Sequence, residues 1–350
     1  MKKLLIVLIS ILVVSCKPGG NRSAKKGNDK PVITVTIEPL RYFTEAIAGD
    51  EFNVVSMVPK GSSPETYDPT PQQLVELAES KAYFRIGYIG FEQVWTDKLA
   101  DNAPHLQFFD MSQGVDLIFD APHNHPHHKD GNGMPQGMPL PPEGMPTPPD
   151  GQHPDSLPTP PHGEHHEGMP QPPTDGNVPQ GPPPMMGVEP HIWNSATNAQ
   201  TIATNILNAL CALDKSHEND FIERYKTLYR KLERTDSLIC VMLSAPEADR
   251  SFMIYHPALS YFARDYGLHQ ISIESGGKEP SPAHLKELIN ACKEEKVRVV
   301  FVQPEFDQRN AELIAQQTGT SIVSINPLSY DWETEMINVA RALTGKIEEK

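Results

Sequence analysis

Positive charge is scarce in this chain: 30 Lys and Arg stand against 45 Asp and Glu, a formal net charge of −15. A surface that acidic does not neutralise phosphates, which argues against nucleic acid as a partner and in favour of cationic ligands. Cysteine is scarce as well. Besides Cys16 there are only Cys211, Cys240 and Cys292, without the close spacing of a thiolate metal site. Their odd number leaves one disulfide plus a free thiol, or three buried thiols, with packing the expected role of each. Long apolar runs are missing too: Leu4 to Val14, broken by Ser10, is eleven residues, too short to cross a bilayer as a permanent helix.

What the amino terminus does have is Lys2 and Lys3 ahead of that run and Val13-Val14-Ser15-Cys16 behind it, the layout of a cleaved secretory signal. The last four residues resemble a bacterial lipobox, in which the thiol of Cys16 is acylated and becomes the new amino terminus. Residues 1–15 are then a signal peptide and 16–30 a polar tether. Cleavage removes two lysines, taking −15 to −17.

From 31 to 120 short β-branched and aromatic runs alternate with helix-like stretches. "VITVTI" (32–37), "FNVVSMV" (52–58), "AYFRIG" (82–87) and "LQFF" (106–109) read as strands, and 39–49, 70–80 and 91–100 read as helices. The alternation predicts an α/β lobe with a mostly parallel sheet. It returns over 246–350, where "SFMIY" (251–255), "QISI" (270–273), "VRVVFV" (297–302) and "SIVSI" (321–325) read as strands and 282–295, 307–318 and 332–346 as helices. Residues 191–215 complete the first lobe with a helix that Ser195 can cap. A helix over 216–245, with Phe221, Tyr225, Leu228, Leu232 and Leu238 among its apolar positions, serves as a strut.

Between these parts, 121–190 holds 21 of the 35 prolines, eight of the 14 histidines and six of the 12 methionines. So little apolar content cannot bury a core, and disorder with polyproline II character is the expectation. The imidazoles of His123, His125, His127, His128, His153, His162, His165 and His166 can each offer a nitrogen to a metal. A purely solvating linker is the plainer reading, and the methionines leave copper scavenging open.

In open α/β sheets ligands bind outside the carboxyl ends of the strands, so the residues there are the candidates. Glu65 and Asp68 follow the second strand run, His256 the fifth, Gln303 and Glu305 the seventh and Asn326 the eighth, while His191 stands directly before the helix that follows the Pro/His segment. Two histidines, a carboxylate and an amide oxygen suit a first-row metal, with zinc favoured by the nitrogens. A metallohydrolase using Glu65, His191 and His256, and a surface metal sink or adhesin dominated by the histidine segment, are the competing readings. "HGEHHE" (162–167) is hemmed in by proline and glycine and is not a His-Glu-x-x-His helix.

"MVPKGSSPETYDPTPQQLVELAESKAYFRIG" (57–87), "EPHIWNSATNA" (189–199), "HPALSYFARDYGL" (256–268) and "EPSPAHLKEL" (279–288) together resemble the ZnuA/TroA-like solute-binding lipoproteins of ATP-binding-cassette metal importers. The likeness is collinear from about 31 to 345. It implies two α/β lobes with mostly parallel sheets joined by a long rigid helix, and a site for Zn²⁺, or in related branches Mn²⁺ or Fe²⁺, in the cleft between them. It implies no catalysis. The partners implied are a permease transmembrane subunit with its cytoplasmic ATPase, and a membrane reached through the lipid on Cys16, which places a monomer in the periplasm or at the cell surface.

Carried over position by position, the family's loop histidine is matched by Glu65 in "PETYDP", its Pro-His-Ile/Leu-Trp histidine by His191, its His-Pro-Ala histidine by His256, and its aspartate before Pro-Leu by Asn326. Two departures, glutamate for histidine and asparagine for aspartate, keep the charge of the set at −1 with neutral imidazoles. Asn326 then binds weakly or yields to water, and Glu305 and Asp331 are outside candidates for a fourth oxygen. Family members of the zinc type carry a histidine-rich loop where 121–190 falls, which implies an accessory metal collector or sensor.

Overall fold

The computed structural model describes residues 30–119 and 187–345. Cys16, the signal and tether residues before Lys30, and the eight histidines of the Pro/His segment lie outside them. The described chain divides into two compact units. The first takes the residues up to Gly114 together with Ala199–Thr235 and Leu328–Glu333; the second takes Val115–Asn198, Asp236–Pro327 and the residues from Thr334 on.

In the first unit β1 (Val32–Val35), β2 (Asn53–Ser56), β3 (Ala82–Arg85) and β4 (Gln107–Asp110) form one parallel sheet in the order β2-β1-β3-β4. Ile33, Val35 and Phe84 are fully buried, as expected for parallel strands covered on both faces. Between the strands run α1 (Glu38–Ala48), α2 (Pro71–Ala78) and α3 (Gly90–Asn102). Helix α1 starts with a proline in its first turn and stops at Gly49, whose φ of 61° a β-carbon would strain. Thr70 and Gln73 close a capping box on α2. The segment Leu328–Glu333 is fastened to α1: the Tyr330 hydroxyl donates to Glu45 at 2.6 Å, the Tyr42 hydroxyl donates to Glu333, and the Arg41 guanidinium lies 4.7 Å above the Tyr330 ring.

The second unit repeats the plan. Its strands β5 (Ser251–Ile254), β6 (His269–Ser272), β7 (Val299–Val302) and β8 (Ser321–Ser324) form a parallel sheet in the order β6-β5-β7-β8. Strand β7 is buried along its whole length and β8 is mostly exposed, the signature of an inner and an edge strand. Helices α6 (Ser260–Tyr266), α7 (Pro282–Glu294) and α8 (Arg309–Thr318) follow their strands. Three further helices, α4 (Ala196–Leu213), α5 (Glu218–Leu243) and α9 (Trp332–Leu343), carry residues of both units. The expected fold of two parallel α/β sheets with a long helix between them in sequence is present.

Three details depart from expectation. Helix α6 falls within "HPALSYFARDYGL", which periodicity did not mark as a helix. Leu238 is 42% exposed, and Ile239 takes the buried place on α5. Cysteines 211, 240 and 292 are all free thiols, and Cys240 is exposed rather than packed. No helix among the described residues is long and apolar enough to cross a membrane.

Candidate metal centre

His256 stands two residues after the end of β5, at the carboxyl edge of the second unit's sheet, and is buried. Its backbone is fixed by Gln303, the residue after β7: the His256 amide donates to the Gln303 side-chain oxygen at 3.2 Å, and the Gln303 amide group donates back to the His256 carbonyl at 2.6 Å. The Phe306 ring stacks on the imidazole at 5.0 Å and 19°. On the far side of the ring, Nδ1 lies 2.6 Å from Glu274 Oε1. That carboxylate accepts the Nδ1 proton, which in the neutral imidazole makes Nε2 the ligand nitrogen.

His191 reaches the same point from the turn before α4, in the same unit. Glu189, two residues earlier, accepts from the His191 backbone amide at 3.0 Å and from its Nδ1. Glu189 is itself held by the Ser260 hydroxyl at 3.2 Å, while the Tyr261 hydroxyl donates to its carbonyl at 2.8 Å. Burial raises the Glu189 carboxyl, but the His191 charge and these hydrogen bonds outweigh it and hold the group below the ordinary carboxylate value. Trp193 packs beside the His191 ring at 5.2 Å, and its indole N–H is anchored on the Pro327 carbonyl at 2.8 Å. Ser195 caps α4 through the Asn198 amide at 3.0 Å, as its position in the sequence suggested.

The outcome is two Nε2 atoms facing each other at 3.1 Å. Each Nδ1 faces a carboxylate, so in the neutral imidazoles the two Nε2 atoms are the nitrogens that can be offered together to one cation. Two nitrogen ligands of one tetrahedral Zn²⁺, each at about 2.05 Å, stand about 3.3 Å apart. The spacing and chemistry of the pair therefore fit a divalent metal, and the Glu–His arrangement is the usual outer support of such a ligand.

The other candidates are spread along the chain. Glu65 lies half-buried in the loop between β2 and α2 of the first unit, with Asp68 exposed beside it. Asn326 is half-buried just after β8, its backbone amide donating to Glu335 at 2.6 Å. Glu305 is half-buried next to Phe306; burial raises its carboxyl, with the His256 charge acting against that rise. Asp331 is exposed in the segment fastened to α1. Glu189 and Glu274 were missed as functional residues. Both had a signal: Glu189 opens the "EPHIW" motif, and Glu274 lies two residues beyond the end of β6, where the strand-end search applies.

A family model described as "ZnuA: Zinc-uptake complex component A periplasmic" matches residues 33–349. The zinc-binding lipoprotein AdcA of Streptococcus pneumoniae is 24% identical over 334 residues, 94% of this chain and 56% of AdcA. The chain thus spans little more than half the length of that relative. The manganese ABC transporter substrate-binding lipoprotein PsaA of Streptococcus anginosus is 23% identical over 337 residues, covering 92% of this chain and 88% of PsaA. Among solved structures, a crystal structure of ZnuA superposes with a TM-score of 0.69 at 30% identity, covering 91% of this chain and 99% of that one. A match that takes in both sheets and the loops bearing Glu65, His191, His256 and Asn326 settles the ancestry: the chain belongs to the ZnuA family.

Proposed function

We propose that this protein is an extracytoplasmic receptor that captures a divalent metal, Zn²⁺ first among them, and delivers it to an ATP-binding-cassette permease with its cytoplasmic ATPase. His191 and His256 supply two nitrogens, and Glu65, at the position of the family's loop ligand, a carboxylate oxygen; Asn326 adds a weak fourth donor or leaves that place to water. The observation that carries the reading is the facing pair of Nε2 atoms 3.1 Å apart, each backed by a buried carboxylate. Zinc over manganese is supported by the nitrogen pair, since imidazole suits Zn²⁺ and oxygen sets suit Mn²⁺; the names of the relatives divide among zinc, manganese and iron. Lipid at Cys16 anchors the monomeric receptor to a bacterial membrane, and the histidine segment over 121–190 collects or senses metal as an accessory.

With neutral imidazoles the donor set carries −1, so one dication leaves a charge of only +1 on the occupied site. No bond in the cargo is made or broken. Capture requires only that the chain hold the two imidazoles in one tautomer, and release requires that one ligand be withdrawn. Calorimetric competition among Zn²⁺, Mn²⁺ and Fe²⁺ on the full chain and on His191→Ala, His256→Ala and Glu65→Ala tests this. One tight zinc equivalent, weakened by each substitution, is the expected result. Unchanged zinc binding in both histidine variants would overturn the site, and tighter Mn²⁺ or Fe²⁺ binding would replace the metal while leaving the receptor reading in place.

A further inference from the structure

The loop that carries Glu65 is built with more care than a surface turn requires. At its base, the Gln73 side chain accepts from the Tyr67 hydroxyl at 2.7 Å and from the Thr70 amide at 3.0 Å, and donates to the Met57 carbonyl at 3.3 Å. One glutamine thus clasps both ends of the stretch between β2 and α2. Higher up, the loop leans on the first turn of α3. A β-carbon at Gly90 would lie 2.5 Å from the Glu65 carbonyl oxygen, closer than any side chain tolerates. The neighbour is backbone and cannot swing away. Beside it, Tyr67 meets the buried Phe91 ring edge-on at 6.2 Å.

The turn of α3 is itself pinned. Glu92, almost fully buried, accepts from the Ile86 amide at 2.9 Å, from the Gly87 amide and from the Thr36 hydroxyl, which is also 2.7 Å from the Tyr83 hydroxyl. These contacts run from the end of β1, through the turn after β3, to the start of α3. Every one of them lies within the first unit.

We infer that Gly90 and Glu92 are positioning residues for Glu65: Gly90 lets the loop backbone settle on the α3 terminus, and Glu92 fixes that terminus to the sheet. The inference rests on Glu65 being a metal ligand. Zinc affinity of the full chain, read by competition with a chelating dye, is compared for wild type, Glu65→Ala, Gly90→Ala, Glu92→Gln and the doubles Gly90→Ala/Glu65→Ala and Glu92→Gln/Glu65→Ala. Gly90→Ala should weaken binding about tenfold when Glu65 is present and not at all when it is absent, because residues acting through one another are non-additive. Amide exchange should rise over residues 59–68 and not across the unit.

Equal weakening in both backgrounds, or no weakening, overturns the inference. If Gly90→Ala fails to fold, the Glu92→Gln pair decides the matter by the same comparison. If Glu65→Ala alone leaves zinc affinity unchanged, the ligand assignment falls and takes the positioning role with it; if Glu65→Ala weakens binding and both cycles are additive, only the positioning role falls.

Discussion

The carboxylates behind the two imidazoles determine what those imidazoles can do, because an Nδ1 proton held by Glu274 or Glu189 commits Nε2 to the metal. Glu274→Ala should therefore lower zinc affinity about 10- to 100-fold. Glu274→Gln, whose amide oxygen still accepts the proton, should lower it less, and dye competition at constant pH distinguishes the two. A loss equal in both variants would show that the charge, not the tautomer, is what matters. Glu92 makes a different kind of prediction. Burial pushes its carboxyl from the ordinary 4.5 up to about 7, against the pull of its Thr36, Ile86 and Gly87 hydrogen bonds and the Arg85 charge. A carboxyl raised on folding favours the fold while protonated, so its contribution is complete below pH 4.5 and is lost as pH rises through about 7. Some 2.5 pH units correspond to about 3 kcal/mol. Urea unfolding of wild type should thus show stability falling between about pH 5 and pH 8, and Glu92→Gln should flatten that slope, whatever its baseline cost from a misplaced amide N–H.

At the scale of the element, the eight strands were legible because their β-branched and aromatic runs are short, repeated and bounded by turn residues, as "VITVTI" and "VRVVFV" show. Periodicity likewise located α1, α2, α7 and α8. It missed α6, since seven residues after His256-Pro257 give less than two full turns of pattern, and the stop at Gly267, with φ 63°, is visible only from the backbone. The site was legible in part for a related reason. Strand ends named His256, Gln303 and Asn326, but the pairing of His256 with Glu274 spans 18 residues, which no local pattern encodes, whereas Glu189 stands two residues before His191 and was open to a local reading. Strand order, equally invisible in sequence, has energetic consequences. Phe301 sits on β7, inside the sheet between β5 and β8, and is fully buried, whereas Ile322 on edge strand β8 is 38% exposed. Phe301→Ala should cost about 3–5 kcal/mol and Ile322→Ala under about 1 kcal/mol in denaturant unfolding. Similar costs at the two positions would contradict the observed strand order.

For the whole molecule, the question is whether the Pro/His segment is needed by the folded body or only attached to it. Its two ends meet: Phe119 pairs with Val188 in an antiparallel bridge, and the Glu189 amide donates to the Ile118 carbonyl at 2.9 Å. Removing residues 122–187 would leave Asp120 and Ala121 to join the paired positions 119 and 188, the length of a two-residue hairpin turn. Excision therefore asks nothing of the sheets, and the shortened protein should fold with a melting temperature within about 2 °C of the full chain, since the positions that the cut brings together are already paired. Bound metal separates the possibilities. If the tight site is the imidazole pair, saturating zinc at about 1,000 times its dissociation constant should stabilise the shortened protein by about 4 kcal/mol, as it does the full chain. Only the weaker equivalents, contributed by the eight histidines, should disappear from the titration. A shortened protein whose melting temperature no longer responds to zinc would place the tight site in the excised segment and make the folded units its carrier.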